Sequence, residues 1–454
     1  MTPNPKYSGL QTDLYELTMA AGYLETGFDA RATFELFVRS LPPRRNYLVA
    51  AGLDQALDFL ENVNFSDEEI AYLRTFPVFS NIGNDFFDYL SRFRFSGDAW
   101  AMPEGTIFFP GEPVLRVTAP VIEAQIVETF LLAAINFQTM IASKAARVTQ
   151  AAEGKNVIEF GTRRAHGMES GVLAARAAVI GGCLGTSNAA AGHQFGISVY
   201  GTQAHSWIMA HEDEEEAFGK FLDIFPGQAV LLVDTYDVHQ AVETIIAMGR
   251  KPRGVRLDSG DLVADSQWIR KRLDRAGWQD VIIFASGDLD EDRIASLLAD
   301  GACIDGFGVG TSLVTSNDSP TLGVIYKLVE IEFRGEVRPA AKFSSAKVTY
   351  PGKKQVYRMS RPDGIFAGDM IGLDGENFPD AETLLVPVMM GGKCSVPRTD
   401  LSVARERCRE QRFRLPEQLL NLTGETAPYS VRHSEKLEDL LGEIRRRLER
   451  AAGI

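Results

Sequence analysis

Between residues 156 and 312, short apolar runs alternate with amphipathic stretches, and this alternation limits the fold more than any other feature of the chain. The runs Asn156–Phe160, Ala178–Gly182, Ile197–Tyr200, Ala229–Val233, Gly254–Leu257, Val281–Ala285 and Ile304–Gly308 have strand length and are bounded by turn residues. Val238–Met248, Leu262–Ala276 and Asp290–Ala299 carry helical spacing instead. Repeated β-α units make a parallel sheet, because a helical crossover returns the chain to the same end of the sheet. The expected fold is α/β: an irregular, TIM-like barrel over residues 121–330. Residues 1–120 predict a mixed α+β N-terminal domain, with a helix at Thr12–Tyr23 and strands at Ala32–Val38 and Glu112–Val117. From Pro120, the residues Ile122, Ile126, Phe130, Ala134, Phe137 and Ile141 recur at three- and four-residue steps, one buried helix face. Residues 331–454 form a C-terminal extension, β-rich over Lys347–Met359. Its last helix carries Leu437, Leu440, Leu441, Ile444 and Leu448 on one face, which predicts docking onto the body.

A chain of 454 residues has room for about three domains, or for one large barrel with additions. Its 47 Lys+Arg against 61 Asp+Glu leave a net charge of −14, the wrong sign for a general nucleic-acid binder. Local basic pockets for small phosphorylated ligands remain compatible with that balance. Cys183, Cys303, Cys394 and Cys408 are far apart and form no C-x-x-C pair, which disfavours a disulfide framework or a zinc knuckle and predicts a reducing cytoplasm. Met1 to Leu10 lack the apolar core of a signal peptide, and the longest strictly apolar run, Phe130–Ile135, is far too short to span a bilayer. No membrane and no nucleic acid is therefore expected among the partners.

The segments just after the strands carry the chemistry. Barrels of this class hold their active sites at the C-terminal strand ends. Here those ends read Gly161-Thr162-Arg163-Arg164, Gly185-Thr186-Ser187-Asn188, Gly201-Thr202-Gln203-Ala204-His205-Ser206, Asp234-Thr235, Asp258-Ser259-Gly260-Asp261, Ser286-Gly287-Asp288 and Gly308-Val309-Gly310-Thr311-Ser312. Each is polar, and most carry a glycine that lets backbone approach a ligand. The run Gly306–Ser312 reads as a phosphate cradle of backbone N–H groups or as a plain turn, and its place after the last barrel strand favours phosphate. Arg163 and Arg164 suit phosphate or carboxylate, or a salt bridge to one of the many acids. Asp258, Asp261 and Asp288 offer carboxylates to ribose hydroxyls or Mg²⁺, or cap helices, a role that Asp261 is placed to fill. His205 reads either as nucleophile or acid/base or as a structural histidine. No H-E-x-x-H, G-x-S-x-G or Walker A motif is present, which disfavours zinc proteases, serine hydrolases and P-loop kinases.

Taken in order, several segments resemble the nicotinate phosphoribosyltransferase family. They are Thr12-Asp13-Leu14-Tyr15, Phe34-Glu35-Leu36-Phe37, Ala101-Met102-Pro103-Glu104-Gly105, Thr162-Arg163-Arg164-Ala165, Gly201 to Ser206, Gly254-Val255-Arg256-Leu257-Asp258-Ser259-Gly260-Asp261-Leu262 and Gly308 to Ser312. The resemblance covers roughly residues 10 to 330. It implies a type II phosphoribosyltransferase, usually a homodimer whose sites are shared between subunits. The implied reaction joins nicotinate to phosphoribosyl pyrophosphate, giving nicotinate mononucleotide and pyrophosphate with coupled ATP hydrolysis, the entry step of NAD salvage from nicotinate.

On the matching positions, the resemblance implies that Tyr15, Thr202 and Arg256 contact nicotinate, and that His205 is phosphorylated by ATP. It implies a catalytic role for Asp258 beside His205. Phosphoribosyl pyrophosphate would meet Arg163, Arg164, Ser259, Gly260, Ser286, Gly287, Asp288, Gly308, Gly310 and Thr311, with Mg²⁺ on the pyrophosphate. Nicotinamide phosphoribosyltransferases read R-P-D-S-G where this chain has Leu257, and quinolinate phosphoribosyltransferases lack the phosphorylated histidine. A barrel lyase or isomerase would call for a strand-end lysine or a carboxylate base, and no strand-end lysine appears. A non-catalytic sensor of NAD metabolites would be expected to have lost His205 or the Asp258 cluster.

Overall fold

The computed structural model describes residues 7–343, 348–423 and 427–452. They fall into two compact units, drawn from Met1–Thr139, Thr321–Asn421 and Glu425–Ile454 in one and from Met140–Pro320 and Leu422–Gly424 in the other. The division cuts across the three consecutive segments expected at 1–120, 121–330 and 331–454. The reason is hydrogen bonding: strand Val324–Phe333 pairs antiparallel along the whole of Arg31–Val38, so the chain beyond the barrel returns to the first unit.

That first unit is built on a seven-stranded antiparallel sheet, centred on Arg31–Val38 between Val324–Phe333 and Pro113–Pro120. The Arg31–Val38 strand is exposed only at Arg31, so both of its faces are covered. The expected helix near the N-terminus spans Leu14–Glu25, with Leu17, Ala20 and Ala21 buried. A second, four-stranded sheet takes in Lys354–Ser360 and Phe366–Leu373, and the part of the expected strand at Lys347 lies outside the described residues. The last helix, Glu435–Ala452, packs on Phe366–Leu373 by burying Leu437, Leu441 and Ile444, while Leu448 stays exposed.

The second unit holds the parallel sheet. Its strands are β1 (Asn156–Glu159), β2 (Gly185–Thr186), β3 (Val230–Leu232), β4 (Gly254–Leu257), β5 (Ile282–Ala285) and β6 (Gly306–Val309). The hydrogen-bonded order is β2-β1-β6-β5-β4-β3, all parallel. Segment 198–203 links the two ends of this ladder. On the β2 side, Thr186 N donates to Ser198 O and Thr186 O accepts from Tyr200 N; on the other side, Gln203 Oε1 accepts from Leu232 N of β3 at 3.2 Å. A side chain thus stands where a backbone rung would, beside the edge strand β3 of this six-stranded parallel sheet.

Two expectations are corrected here. Ala178–Gly182 is no strand but the end of the helix Met168–Ile180, which Gly181 and Gly182 terminate. Ala177 to Ile180 are all buried and apolar, so the run read as a strand lacks the polar face that marks a helix in sequence, and a short apolar run does not reveal its period. The next strand in the sheet is Gly185–Thr186 instead. Ile197–Tyr200 forms only a single bridge, Thr186 to Val199. No helix among the described residues is long and apolar enough to cross a membrane. All four cysteines are free thiols.

Candidate active site

The strand ends of the second unit enclose a cavity of about 220 Å³, lined by Phe160, Arg163, Arg164, Arg256, Asp258, Ser286, Gly287, Asp288, Gly308, Gly310 and Thr311. These come from the ends of β1, β4, β5 and β6. The end of β3 borders the cavity through Asp234, which accepts from the backbone N–H of Asp258.

Arg256 organises the centre. It is the third residue of β4, so its side chain stands on the sheet with only 14% exposed. Nε donates to Ser286 Oγ at 2.7 Å, Nη1 to Thr202 Oγ1 at 2.7 Å and Nη2 to Asp258 Oδ1 at 2.6 Å. A guanidinium has five N–H donors, and these bonds use three. A longer bond from Nη1 to Gln203 O at 3.4 Å engages a fourth, so one Nη2 N–H stays uncommitted. The Phe160 ring lies 5.9 Å from the guanidinium carbon. Gly308 makes room for that ring, since a Cβ there would stand 2.6 Å from a Phe160 ring carbon.

Asp258 accepts from Arg256 and, through the same Oδ1, from Ser286 Oγ at 2.5 Å. Burial pushes its carboxyl up, but the Ser286 and Arg256 hydrogen bonds, the Arg256 charge and His205 outweigh this and hold it below the usual carboxylate range. Behind it, Asp234 Oδ2 accepts from the Asp258 backbone N–H at 2.9 Å and from Ser259 Oγ at 2.7 Å. Gly287 is obligatory at its position. Its φ is +89°, and a Cβ would meet Asp258 O at 1.9 Å. Asp288 next to it also has positive φ, +45°, and faces the cavity.

His205 opens the short helix His205–Met209. Its Nδ1 lies 3.2 Å from Thr235 Oγ1, and its Nε2 lies 3.9 Å from Asp258 Oδ2, with the side chain 41% exposed. The ring is therefore oriented by one hydroxyl, faces one carboxylate and is open to solvent. Asp261 caps the helix Leu262–Arg275, accepting from Val263 N and Ala264 N at 3.2 and 3.1 Å. Thr311 begins the helix Thr311–Thr315 and is exposed at the cavity.

The structure brings Arg163, Arg164, Arg256, Asp258, Ser286, Gly287, Asp288, Gly308, Gly310 and Thr311 together around one cavity, with Thr202 one hydrogen bond away and His205 beside Asp258. Ser259 and Gly260 do not line it; Ser259 turns back to Asp234. Tyr15 belongs to the other unit, where it is 49% exposed. Among the described residues no group of three or more His, Cys, Asp or Glu is arranged to hold a metal. Two residues at the site escape sequence reasoning. Phe160 reads only as one more strand residue, although an aromatic just before Gly161 signals a wall at the sheet end. Glu159, a charged residue closing an apolar strand, is the other.

Residues 10–136 match the nicotinate phosphoribosyltransferase (NAPRTase) N-terminal domain, and residues 156–369 match the nicotinate phosphoribosyltransferase (NAPRTase) family. The chain is 45% identical over 443 residues to a nicotinate phosphoribosyltransferase of Mycobacterium tuberculosis, covering 96% of this chain and 94% of that one. It is 44% identical over 388 residues to that of Bacillus subtilis, covering 83% and 78%. Among solved structures, human nicotinic acid phosphoribosyltransferase superposes with a TM-score of 0.84 at 28% identity, over 95% of this chain and 99% of that one. Nicotinate-nucleotide pyrophosphorylase from Pyrococcus furiosus gives 0.73 at 27%, over 89% and 95%. An arginine-centred cavity at the ends of a parallel sheet, in a chain matched along nearly its whole length at such identity, leaves one assignment: the protein is an enzyme of the nicotinate phosphoribosyltransferase family.

Proposed function

We propose that the chain joins nicotinate to phosphoribosyl pyrophosphate, giving nicotinate mononucleotide and pyrophosphate, with ATP hydrolysis coupled through a phosphorylated His205. The observation that carries this reading is Arg256: a guanidinium fixed by Ser286, Thr202 and Asp258 that keeps N–H capacity free beside the Phe160 ring. A flat ring bearing a carboxylate meets both. The pyridine nitrogen attacks the ribose C1, its lone pair forms the new bond, and the C1–O bond breaks with its electron pair leaving on pyrophosphate. That nitrogen carries no proton at neutral pH, so no general base is needed. Catalysis reduces to positioning and charge stabilisation. Asp258 places a carboxylate where oxocarbenium charge develops, and Arg163, Arg164, Gly310 and Thr311 face the phosphates. Ser259 and Gly260 stay in the proposed substrate set only as the flank of the Asp258 turn.

Mg²⁺ fits this donor set. The cation favours oxygen and is commonly held by one or two carboxylates together with substrate phosphates, so no cage of three acids is required. Asp288, on the cavity wall, would hold it, and the ion would supply charge neutralisation on the leaving group. For the coupled reaction, an imidazole nitrogen of His205 forms an N–P bond to the γ-phosphorus of ATP while the bond to ADP breaks. Asp258 Oδ2, 3.9 Å away, stabilises the positive ring that results. The place in metabolism is NAD salvage from free nicotinate, in the cytoplasm. Four free thiols support that compartment.

Product analysis with nicotinate, nicotinamide and quinolinate, each with and without ATP, tests the reading. Nicotinate mononucleotide from nicotinate alone, faster with ATP, is expected. Equal turnover of nicotinamide, or carbon dioxide release from quinolinate, would overturn it.

We further propose a homodimer in which Tyr15 enters the partner's base site. Leu14 and Tyr15 on one unit and Val199, Tyr200 and Tyr236 on the other are exposed apolar side chains, which supports association. Verified heterodimers of a Tyr15→Ala subunit with an Arg256→Ala subunit should recover activity, because one of the two hybrid sites then has both residues. Heterodimers as inactive as either parent would show that each chain builds its whole site.

A further inference from the structure

Glu159 is the last residue of β1, and its side chain is fully buried. It does not line the cavity. Its Oε1 accepts from the Gly161 backbone N–H and its Oε2 from Thr186 Oγ1 at 2.5 Å, while its carbonyl accepts from Ser187 N at 2.9 Å. Having given its hydrogen to Glu159, Thr186 Oγ1 accepts from Asn188 N at 3.0 Å. Asn188 Oδ1 caps the helix Ala189–Phe195 by accepting from Ala191 N at 2.9 Å, which fixes its amide the other way round. Its Nδ2 therefore donates to Thr162 Oγ1, at 3.0 Å. Asn188 donates to both sides, from its N–H towards Thr186 and from Nδ2 towards Thr162, so the donor of every bond in this chain is fixed. The chain starts at a buried carboxylate and ends on the turn that carries Arg163 and Arg164.

The same turn is pressed against the phosphate loop. A Cβ on Gly161 would stand 2.5 Å from Val314 Cβ and 2.8 Å from Gly310 O. A carboxylate at position 159 is costly, since burial pushes it up against the two bonds that favour its charged form. What it adds is direction.

We propose that Glu159, acting through Thr186 and Asn188, is a positioning residue that holds the Arg163–Arg164 turn in register with Gly310 and so sets affinity for the phosphoribosyl substrate. The inference rests on the proposed role of those two arginines at the phosphates. It extends that role to three buried residues that touch no substrate.

The test uses the full chain. Thr186→Val keeps the shape and removes the hydroxyl; Thr186→Ser keeps the hydroxyl. Thr186→Val is expected to raise the KM for phosphoribosyl pyrophosphate about three- to tenfold, the effect of one hydrogen bond. The KM for nicotinate and kcat should stay within about twofold, and Thr186→Ser should restore the wild-type value. Thr162→Val, which removes the far acceptor, should match Thr186→Val, and the double variant should be no worse than the singles. Arg163→Ala and Arg164→Ala serve as the reference. If they raise that KM and Thr186→Val does not, the relay is wrong and the arginine reading stands. If neither arginine variant raises it, the arginine reading itself fails. Equal losses in Thr186→Ser and Thr186→Val, or additive losses in the double variant, would also overturn the relay. Should Thr186→Val not fold, Thr162→Val at its partly exposed position decides alone, and an unchanged KM there sinks the proposal.

Discussion

Arg256→Ala should lower kcat/KM for nicotinate by about 10²- to 10³-fold and erase the preference for nicotinate over nicotinamide. The size of the effect reflects what the side chain holds. Removing one partner of a largely buried ion pair costs about 3–5 kcal/mol, and each 1.36 kcal/mol is tenfold in rate. Asp258 would lose both the Nη2 bond at 2.6 Å and the charge that keeps its carboxyl low, while Ser286 and Thr202 would lose their donors. In the intact site an amide base leaves the free guanidinium capacity unpaired, which predicts a preference for the carboxylate on the order of a hundredfold. Arg256→Lys should recover little, because an ammonium cannot point three N–H groups at Ser286, Thr202 and Asp258 in one plane. Competition assays with both bases in one mixture measure the ratio directly. A ratio unchanged in Arg256→Ala would show that the carboxylate is recognised elsewhere.

His205→Ala should abolish labelling by γ-labelled ATP and lower the coupled ATPase by on the order of 10³-fold or more, because the nucleophile itself is gone. The label on the wild-type protein should be acid-labile and stable to base. Slow, ATP-independent phosphoribosyl transfer should survive, since Arg256, Asp258, Asp288 and the Gly308–Thr311 loop are untouched. The ring supports this separation of roles. It contacts Thr235 and faces Asp258, it is 41% exposed, and it does not line the cavity. A structural histidine would behave differently: both activities would fall together with a drop in Tm. Normal labelling of His205→Ala would remove the phosphohistidine from the mechanism.

Much of this site is legible in the sequence. The strand ends of β1, β4, β5 and β6 are marked by Gly, hydroxyl and charged residues, and glycines are needed where backbone closes in, as Gly287 does on Asp258. Burial periodicity also locates the helix Leu14–Glu25 and the helices after β3, β4 and β5, whose polar faces meet water. It fails at the helix Met168–Ile180. The C-terminal half of that helix is buried, and the short apolar stretch Ala177 to Ile180 carries no period to read. Glu159 escapes notice because an ionisable residue closing an apolar strand looks like a strand end meeting solvent. Only the fold shows that Thr186, well downstream in sequence, lies against it.

The sequence by itself determined the α/β class, five of the six parallel strands and the residue types at their ends, because hydrophobic period and turn chemistry are local properties of the chain. Tertiary structure alone decided which of those polar residues face one cavity and which turn away to brace. The Asp261 cap is local, to the Val263 and Ala264 N–H groups, and is legible in the sequence. Asp258 and Asp288 differ for a reason the sequence does not show: Ser286 and Asp234, from the ends of other strands, brace the Asp258 turn, while Asp288 faces the cavity. The return of Val324–Phe333 to Arg31–Val38 was equally out of reach. Pairing between strands is set by backbone register over some three hundred residues of separation, and no local pattern encodes it.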